Sequence, residues 1–426
     1  MKTIDGLAGN VPAYRVLEQA AGKRPAAGRG GARVGWRSRH RSLALALALA
    51  AAAAVPGLAA AQSQCTPVLD GLKTPVGSLL SHQGNLLVAE SGDGSAGSGR
   101  ISVVDRHGKR RTLIDGLPSA PSDVGTPSGP SGLYLDGVTL FVAIGTGDTG
   151  ILGPRPGTTV PNPNGASSPI FSSVLALTYS GAAERKTTGF TMTPAQQASL
   201  AKGRVVVLHD GHGHLMLARM VTNFPEYVPS PIPGVPDNIS LSNPFGIVGR
   251  GASLYVTDGG RNLAWRVGRW TGSRSEFVQF PNVPNPLFPQ VGGPMIQAVP
   301  TGINVSKNGK LLVSLIRGAP FPTGVSSIEQ IDPVTAKDVP LISGLTTAID
   351  TAPMRGAHGP LLVLEMAASG PFFSGPGTVL RFDAPDVAPQ PVADCLVRPT
   401  SMTLDESGRS LYVTEEEGSL IRIAYP

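Results

Sequence analysis

The stretch "NPFGIVGRGASLYVTDGG", Asn243 to Gly260, decides the fold. It runs from a Pro and a small residue into an apolar segment, a polar Gly turn, and a second apolar segment closed by an acid. Two short apolar runs around a Gly turn are the pattern of two antiparallel strands. The phrase returns as "TPVGSLLSHQGNLLVAES" from Thr74, "GPSGLYLDGVTLFVAIG" from Gly129, "VPTGINVSKNGKLLVSLI" from Val299 and "RPTSMTLDESGRSLYVTEE" from Arg398. A weaker copy without the Pro, "LTTAIDTAPMRGAHGPLLVLEM", begins at Leu345. Self-similarity on this scale marks a repeat architecture, and there are six copies.

Most copies are followed by an alternating third strand ("GRISVVD", "LAWRVGR", "TVLRFD", "SLIRIAY") and an outer one ("PVLDGL", "TLIDGL", "MVTNF", "FVQFPNV", "PLISGL", "PVADCL"). Four short strands joined by turns make one propeller blade, and 54 Gly with 40 Pro suit such turns better than long helices. The anchor positions Gly77, Gly132, Gly246, Gly302, Ala348 and Ser401 fall 46 to 56 residues apart, with one interval of 114. That interval holds an insertion over about 151–202: a Pro/Asn/Gly-rich loop, then a short helix with Thr193 as N-cap, Pro194 at N1 and Gly203 beyond its end. The repeat opens on an outer-strand phrase and ends on a third-strand phrase. Pairing the N-terminal outer strand with the C-terminal blade closes the ring and removes both edges. The expected fold is all-β, a single six-bladed β-propeller of four-stranded blades over 62–426, and a monomer.

Two segments, "SNPFGIVGRGASLYVTDGGRNLAWRV" and "VPTGINVSKNGKLLVSLIRGAPFPTG", resemble the hallmark segments of the ScyD/ScyE family, exported six-bladed propellers with NHL-like repeats. The likeness extends from about Cys65 to Pro426. It implies export and a propeller and names no reaction. Where relatives carry a Gly-Glu-Leu-Thr-like segment, this chain has "SLIRG", Ser314 to Gly318, which removes an acid from that blade.

Residues 1–61 differ from the rest. A basic stretch, the apolar run "LALALALAAAAAV", a break at Pro56-Gly57 and the end Ala59-Ala60-Ala61 form a secretory signal peptide, with cleavage expected after Ala61. The run is too Ala-rich and too broken for a stable membrane anchor. A secreted or periplasmic protein is expected. The leader takes nine of the 35 basic and two of the 29 acidic residues, leaving 26 against 27. A nucleic-acid partner therefore has no electrostatic footprint.

Several motifs bear on function. Gly92, Gly94, Gly97 and Gly145, Gly147, Gly150 match G-x-G-x-x-G, but neither set opens a helix, so both read as inter-strand turns. Glu90, Asp258, Glu365 and Glu415 share one repeat position, broken by Ile144 and Leu315. Such acids either ring the channel and bind Ca²⁺ through oxygens, or accept backbone N–H bonds in the following turn. "DGGRNLAWR" favours bracing, since Asp258, Asn262 and Arg266 fit the Asp…Asn…Arg pattern of NHL-like repeats. Phe321 in "RGAPFPTG" and Phe372 and Phe373 in "ASGPFFSGPG" occupy equivalent loops of adjacent blades; they are candidates for a ligand wall, or equally fold back to cover the blade ends. The cluster "HDGHGH", His209 to His214, aligns with a turn between third and outer strands and reads as a hairpin.

Cys65 and Cys395 are the only cysteines. Their parity in an exported chain favours a disulfide. Aligning Pro67 with Pro391 offsets them by about six residues, roughly 20 Å along a strand, which opposes one. Three functions fit this sequence. The first is a non-enzymatic binding or scaffold protein for an unidentified small molecule, glycan or protein, without a cofactor. The second is a Ca-dependent lactonase-type hydrolase using the four acids. The third is a quinoprotein sugar dehydrogenase, for which the scattered His82 and His358 supply no evident set. The sequence reading favours the first.

Overall fold

The computed structural model describes residues 65–354 and 359–425; the expected leader and His358 lie outside the described residues. Six sheets follow one another, each laid down from the innermost strand outward. Blade 1 comprises Pro75–Leu80, Leu86–Glu90, Gly99–Val104 and Arg110–Leu117; blade 2 comprises Pro130–Asp136, Thr139–Ile144, Ser173–Tyr179 and Leu215–Asn223. Blade 3 comprises Pro244–Arg250, Ser253–Asp258, Leu263–Gly268 and Arg274–Gln279, and blade 4 Pro300–Val305, Leu311–Leu315, Ser326–Ile331 and Asp338–Leu345. Blade 5 comprises Ala348–Pro353, Leu361–Glu365, Gly377–Phe382 and Gln390–Leu396. Blade 6 takes Pro399–Leu404, Ser410–Glu415 and Leu420–Ala424 from the end of the chain and Cys65–Leu69 from its beginning. The closing pair is antiparallel, with Cys65 opposite Ile423 and Pro67 opposite Ile421.

The apolar core is not central. It is divided among the six seams between neighbouring blades. Leu140 and Val142 pack against Leu87 and Ile101, Phe141 and Ala143 against Leu254 and Val256, and Tyr255 against Leu311 and Val313. Leu312 and Ile328 meet Val363, Leu362 and Leu364 meet Leu411 and Val413, and Leu420 meets Leu86 and Val88. Each second strand is covered on both faces, which is why "LLVAE" and "SLYVTD" read as nearly continuous apolar runs.

Glycine sets how closely the inner strands approach. A Cβ at Gly77 would lie 2.2 Å from Ser131 O, at Gly132 2.3 Å from Phe245 O, at Gly246 2.6 Å from Thr301 O, and at Gly302 2.7 Å from Ile349 O. In blade 5 the register differs from the sequence alignment. Ala348 faces Glu365 as Pro75 faces Glu90, so the residue matching Gly77 is Asp350, not Ala348. Its carboxylate accepts the N–H of Met402 on blade 6 (3.0 Å).

The expected insertion resolves into two parts, because Ser173–Tyr179 within 151–202 is the third strand of blade 2. The first part carries the hairpin Gly150–Leu152 with Thr159–Pro161. The second carries helices Gly181–Lys186 and Pro194–Ala201, the latter with the expected Thr193 cap and a capping box through Gln196. The segment "VVVL", Val205 to Leu208, precedes the "HDGHGH" turn and reads in sequence as a third strand; it lies instead in Val206–His209, the outermost, fifth strand of blade 2, and Phe190–Thr191 similarly adds to blade 1. A hydrophobic β-pattern identifies a strand without stating its place in the sheet.

Cys65 and Cys395 form a disulfide, with Cα atoms 6.3 Å apart. This corrects the expectation drawn from their six-residue offset. That offset treated the two outer strands as parallel rods. Twist of roughly 20–25° per strand rotates an outermost strand far from its inner partner. The C-terminal end of Gln390–Leu396 thus meets the N-terminal end of Cys65–Leu69 on the next blade. The bond closes a sequence separation of 330 residues at the ring's one non-covalent junction. Cys395→Ser is expected to lower stability by ~3–5 kcal/mol, measured as a reduced urea midpoint; an unchanged midpoint would show that strand pairing alone closes the ring.

Candidate functional site

Every blade starts from the same junction. The residue preceding the inner strand offers its carbonyl to the N–H of the residue following the second strand. The six bonds are Thr74 to Ser91 (2.9 Å), Gly129 to Gly145 (2.8 Å), Asn243 to Gly259 (3.1 Å), Val299 to Ile316 (3.2 Å), Thr347 to Met366 (3.0 Å) and Arg398 to Glu416 (3.0 Å). Thr74, Val299 and Arg398 take positive φ (46°, 48° and 47°), a strained conformation that needs outside support, above all for the β-branched pair.

The four repeat-position acids act at these junctions. The Lys73 N–H donates to Glu90 Oε2 (2.7 Å), the Asn243 N–H to Asp258 Oδ1 (2.7 Å), the Thr346 N–H to Glu365 Oε1 (2.7 Å) and the Val397 N–H to Glu415 Oε1 (2.6 Å). Asp258, one methylene shorter than the glutamates, takes the N–H one residue nearer the strand. Glu90 also receives Arg110 Nη2 on both oxygens (2.7 Å each) and the Ser102 hydroxyl. Asp258 receives Trp265 Nε1 (2.9 Å) and the Arg261 N–H (3.1 Å), and Glu365 the Thr378 hydroxyl (3.1 Å). Burial pushes the carboxyls of Asp258, Glu365 and Glu415 above their ordinary range, against these bonds. The four acids sit in four separate blades, each engaged at its own junction, and this donor set does not fit a shared Ca²⁺. Among the described residues no three His, Cys, Asp or Glu stand close enough to hold an ion.

In blade 4 Leu315 replaces the acid, and the side chain of the nearby Arg317 ties the flanking loops to the third strand. Its guanidinium donates to Pro281 O (3.3 Å), Val325 O (3.1 Å) and Ser327 Oγ (3.3 Å). In blade 3 the NHL-like pattern is structural: Asn262 Oδ1 accepts the Val299 N–H of the next blade (2.8 Å), and Arg266 donates to Ser253 Oγ (3.1 Å).

The channel has two mouths. One, about 310 Å³, opens beside the junctions and is lined by Ser91, Ser128, Thr146, Asn243, Gln297 and Thr400 among others. Its two carboxylates are already engaged, Asp123 by Thr159 (2.6 Å) and Glu416 by Arg398 (2.6 Å). Phe245 and Ile349 border both mouths. The other, about 370 Å³, contains Asp350 with Ser78, Asn304 and Thr403. Asp350 accepts from Asn304 Nδ2 (3.1 Å), the Thr351 N–H (2.8 Å) and the Met402 N–H, so one carboxylate joins blades 4, 5 and 6.

Phe321 and Phe373 stack on each other, 3.9 Å between centroids, with the Arg398 guanidinium 5.0 Å over Phe373. Their loops are clasped by bonds from the Phe372 N–H to Pro320 O (2.9 Å) and from the Gly370 N–H to Thr323 Oγ1 (3.0 Å). Phe321 and Phe373 are half-buried in this contact, and Phe372 is exposed. The "HDGHGH" turn is a hairpin between the fifth and fourth strands of blade 2. Asp210 organises it, accepting the N–H groups of His212 (2.8 Å) and His214 (3.0 Å) and pairing with the His214 ring (2.9 Å).

No family model and no curated protein matches the chain. Solved structures share the propeller at low identity. Virginiamycin B lyase from Staphylococcus aureus is 14% identical, covering 85% of this chain and 99% of its own, at a TM-score of 0.43. A gluconolactonase from Xanthomonas campestris is 13% identical, over 85% and 90%, at 0.46. A PQQ-bound aldose sugar dehydrogenase from Streptomyces coelicolor is 14% identical, over 84% and 96%, at 0.47. At such values these likenesses carry no argument about activity.

Two outcomes follow from the geometry. Asp258→Ala leaves the Asn243, Arg261 and Trp265 donors without an acceptor and is expected to cost about 3–5 kcal/mol in chemical denaturation, with metal content unchanged. Burial raises the Asp350 carboxyl to about 6. The folded state then holds the proton more tightly than the unfolded chain, so this group's contribution to stability falls as pH rises from about 4 to about 6. Asp350→Asn is expected to flatten that part of the pH–stability curve.

Proposed function

We propose that the chain is an exported binding propeller of the ScyD/ScyE kind that takes a neutral, hydroxyl-rich small molecule, such as a saccharide unit, at the junction-side mouth of its channel. One observation carries this reading. The mouth presents hydroxyls and amides, while the repeat-position acids that would serve a metal or a base are committed to backbone N–H groups. Hydroxyls and amides both donate and accept, which matches an uncharged polyol better than an ion. A Ca-dependent hydrolase would have to release Glu90 or Glu415 from a strained junction. The Cys65–Cys395 bond and the signal-like leader support an oxidising destination.

Titration calorimetry with a panel of neutral oligosaccharides tests the proposal. At least one is expected to bind, with affinity reduced about tenfold or more by Asn243→Ala, whose amide oxygen also holds the Thr146 N–H (3.1 Å). Lactone hydrolysis that needs Ca²⁺ and is lost in the Glu90→Gln/Glu415→Gln double variant would overturn it.

A further inference from the structure

A third cavity adjoins the far mouth of the channel, sharing His82 and Leu135 with it, and lies away from the mouth that carries the proposed function. It has a volume of about 290 Å³ and is lined by His82 and Gln83 of the first blade-1 turn, Leu135 and Val138 of blade 2, Tyr179, and Glu184 of helix Gly181–Lys186. Two features set it apart from ordinary packing. The Tyr179 hydroxyl is buried and has no hydrogen-bond partner, although a phenol taken out of water nearly always finds one. Glu184 is 3% exposed. Its Oε1 accepts from Ser81 Oγ (2.6 Å) and Asn85 Nδ2 (2.8 Å). Oε2 takes no bond, and no Lys, Arg or His among the described residues forms an ion pair with it. The adjacent Arg185 turns instead to the Gln83 side-chain oxygen.

A buried carboxylate without a counter-charge is costly, and a cation that also donates hydrogen bonds offsets that cost. The acceptors left without a bond are Glu184 Oε2 and the buried Tyr179 oxygen, and Leu135 and Val138 add aliphatic surface to the same lining. Two acceptors beside an apolar wall are too few for a hard metal ion, which needs six or so oxygens. They suit an ammonium group, whose hydrogens engage both acceptors while its carbon body lies against the aliphatic side chains. We propose that this cavity is a binding site for a small primary alkylammonium ion, held by Glu184 and Tyr179. The insertion helix that supplies Glu184 would exist partly to build it. The site is independent of the saccharide reading.

Thermal unfolding of the purified protein with n-butylammonium chloride tests this, with n-butanol and CaCl₂ as matched probes. Saturating n-butylammonium is expected to raise Tm by ~2 °C. The shift should vanish in Glu184→Gln, which retains an oxygen for Ser81 and Asn85, and shrink in Tyr179→Phe. Proton NMR line broadening of the butyl signals gives a second readout if either variant is less stable. No shift with n-butylammonium, an equal shift with n-butanol or CaCl₂, or an undiminished shift in Glu184→Gln would overturn the proposal and leave the cavity a hydrated packing defect.

Discussion

The pairing of Cys65–Leu69 with Leu420–Ala424 is the contact on which the rest of the molecule depends. A four-stranded blade cannot cover its own two faces. Each seam of the core exists only because a neighbouring blade stands on each side. Without closure, the first and last blades would each expose one apolar face and an unpaired edge. The closing strand supplies the missing fourth strand of blade 6, and the Cys65–Cys395 bond ties that strand to blade 5. The seam beside it, where Leu420 meets Leu72, Leu86, Val88 and Val104, is the smallest of the six clusters. The covalent tie lies at the other seam of blade 6, toward blade 5, where Cys65 packs against a larger apolar cluster.

Closure also explains the acids. Six inner strands converge around one axis, and glycines bring their backbones within reach of one another. The chain must then turn sharply from each outer strand back to the axis. It does so at residues such as Thr74, Val299 and Arg398 in left-handed conformation. A backbone held there needs bonds that over-determine it. The recurring carbonyl bond provides one in every blade and the Glu or Asp beside it a second in four; in blade 4, one of the two blades without that acid, Asn262 Oδ1 accepts the Val299 N–H instead. Carboxylates at a channel rim thereby become scaffolding, and the chemistry left facing the junction-side mouth is that of hydroxyls and amides.

Where the chain departs from its own repeat, it does something local. Asp350 stands where four blades have Gly and one has Ser, and its carboxylate stitches three blades. The extra chain in blade 2 builds two more outer strands and the helix that buries Glu184. Neither departure was visible as such in one sequence. Apolar patterning places the anchor of the weak fifth repeat at Ala348, two residues from Asp350, because it is indifferent to a shift of two along a strand. The third strand of blade 2 was hidden inside a long interval that also contained a better-looking strand, "VVVL".

The sequence by itself determined the repeat, the number of blades, the four-strand unit, the manner of closure and the capped helix after Thr193. All of these are properties of local pattern and phase, and local pattern is set by strand and turn geometry. The "HDGHGH" hairpin was legible for the same reason, since turn residues act on their near neighbours. Tertiary structure alone decided which way the acids work, that Phe321 and Phe373 stack on each other, and that Cys65 reaches Cys395 on the neighbouring blade. Each of those depends on how far twisted sheets carry a side chain toward a partner many residues away. Spacing along the chain does not record that distance, because twist and ring curvature accumulate only once all six blades are in place.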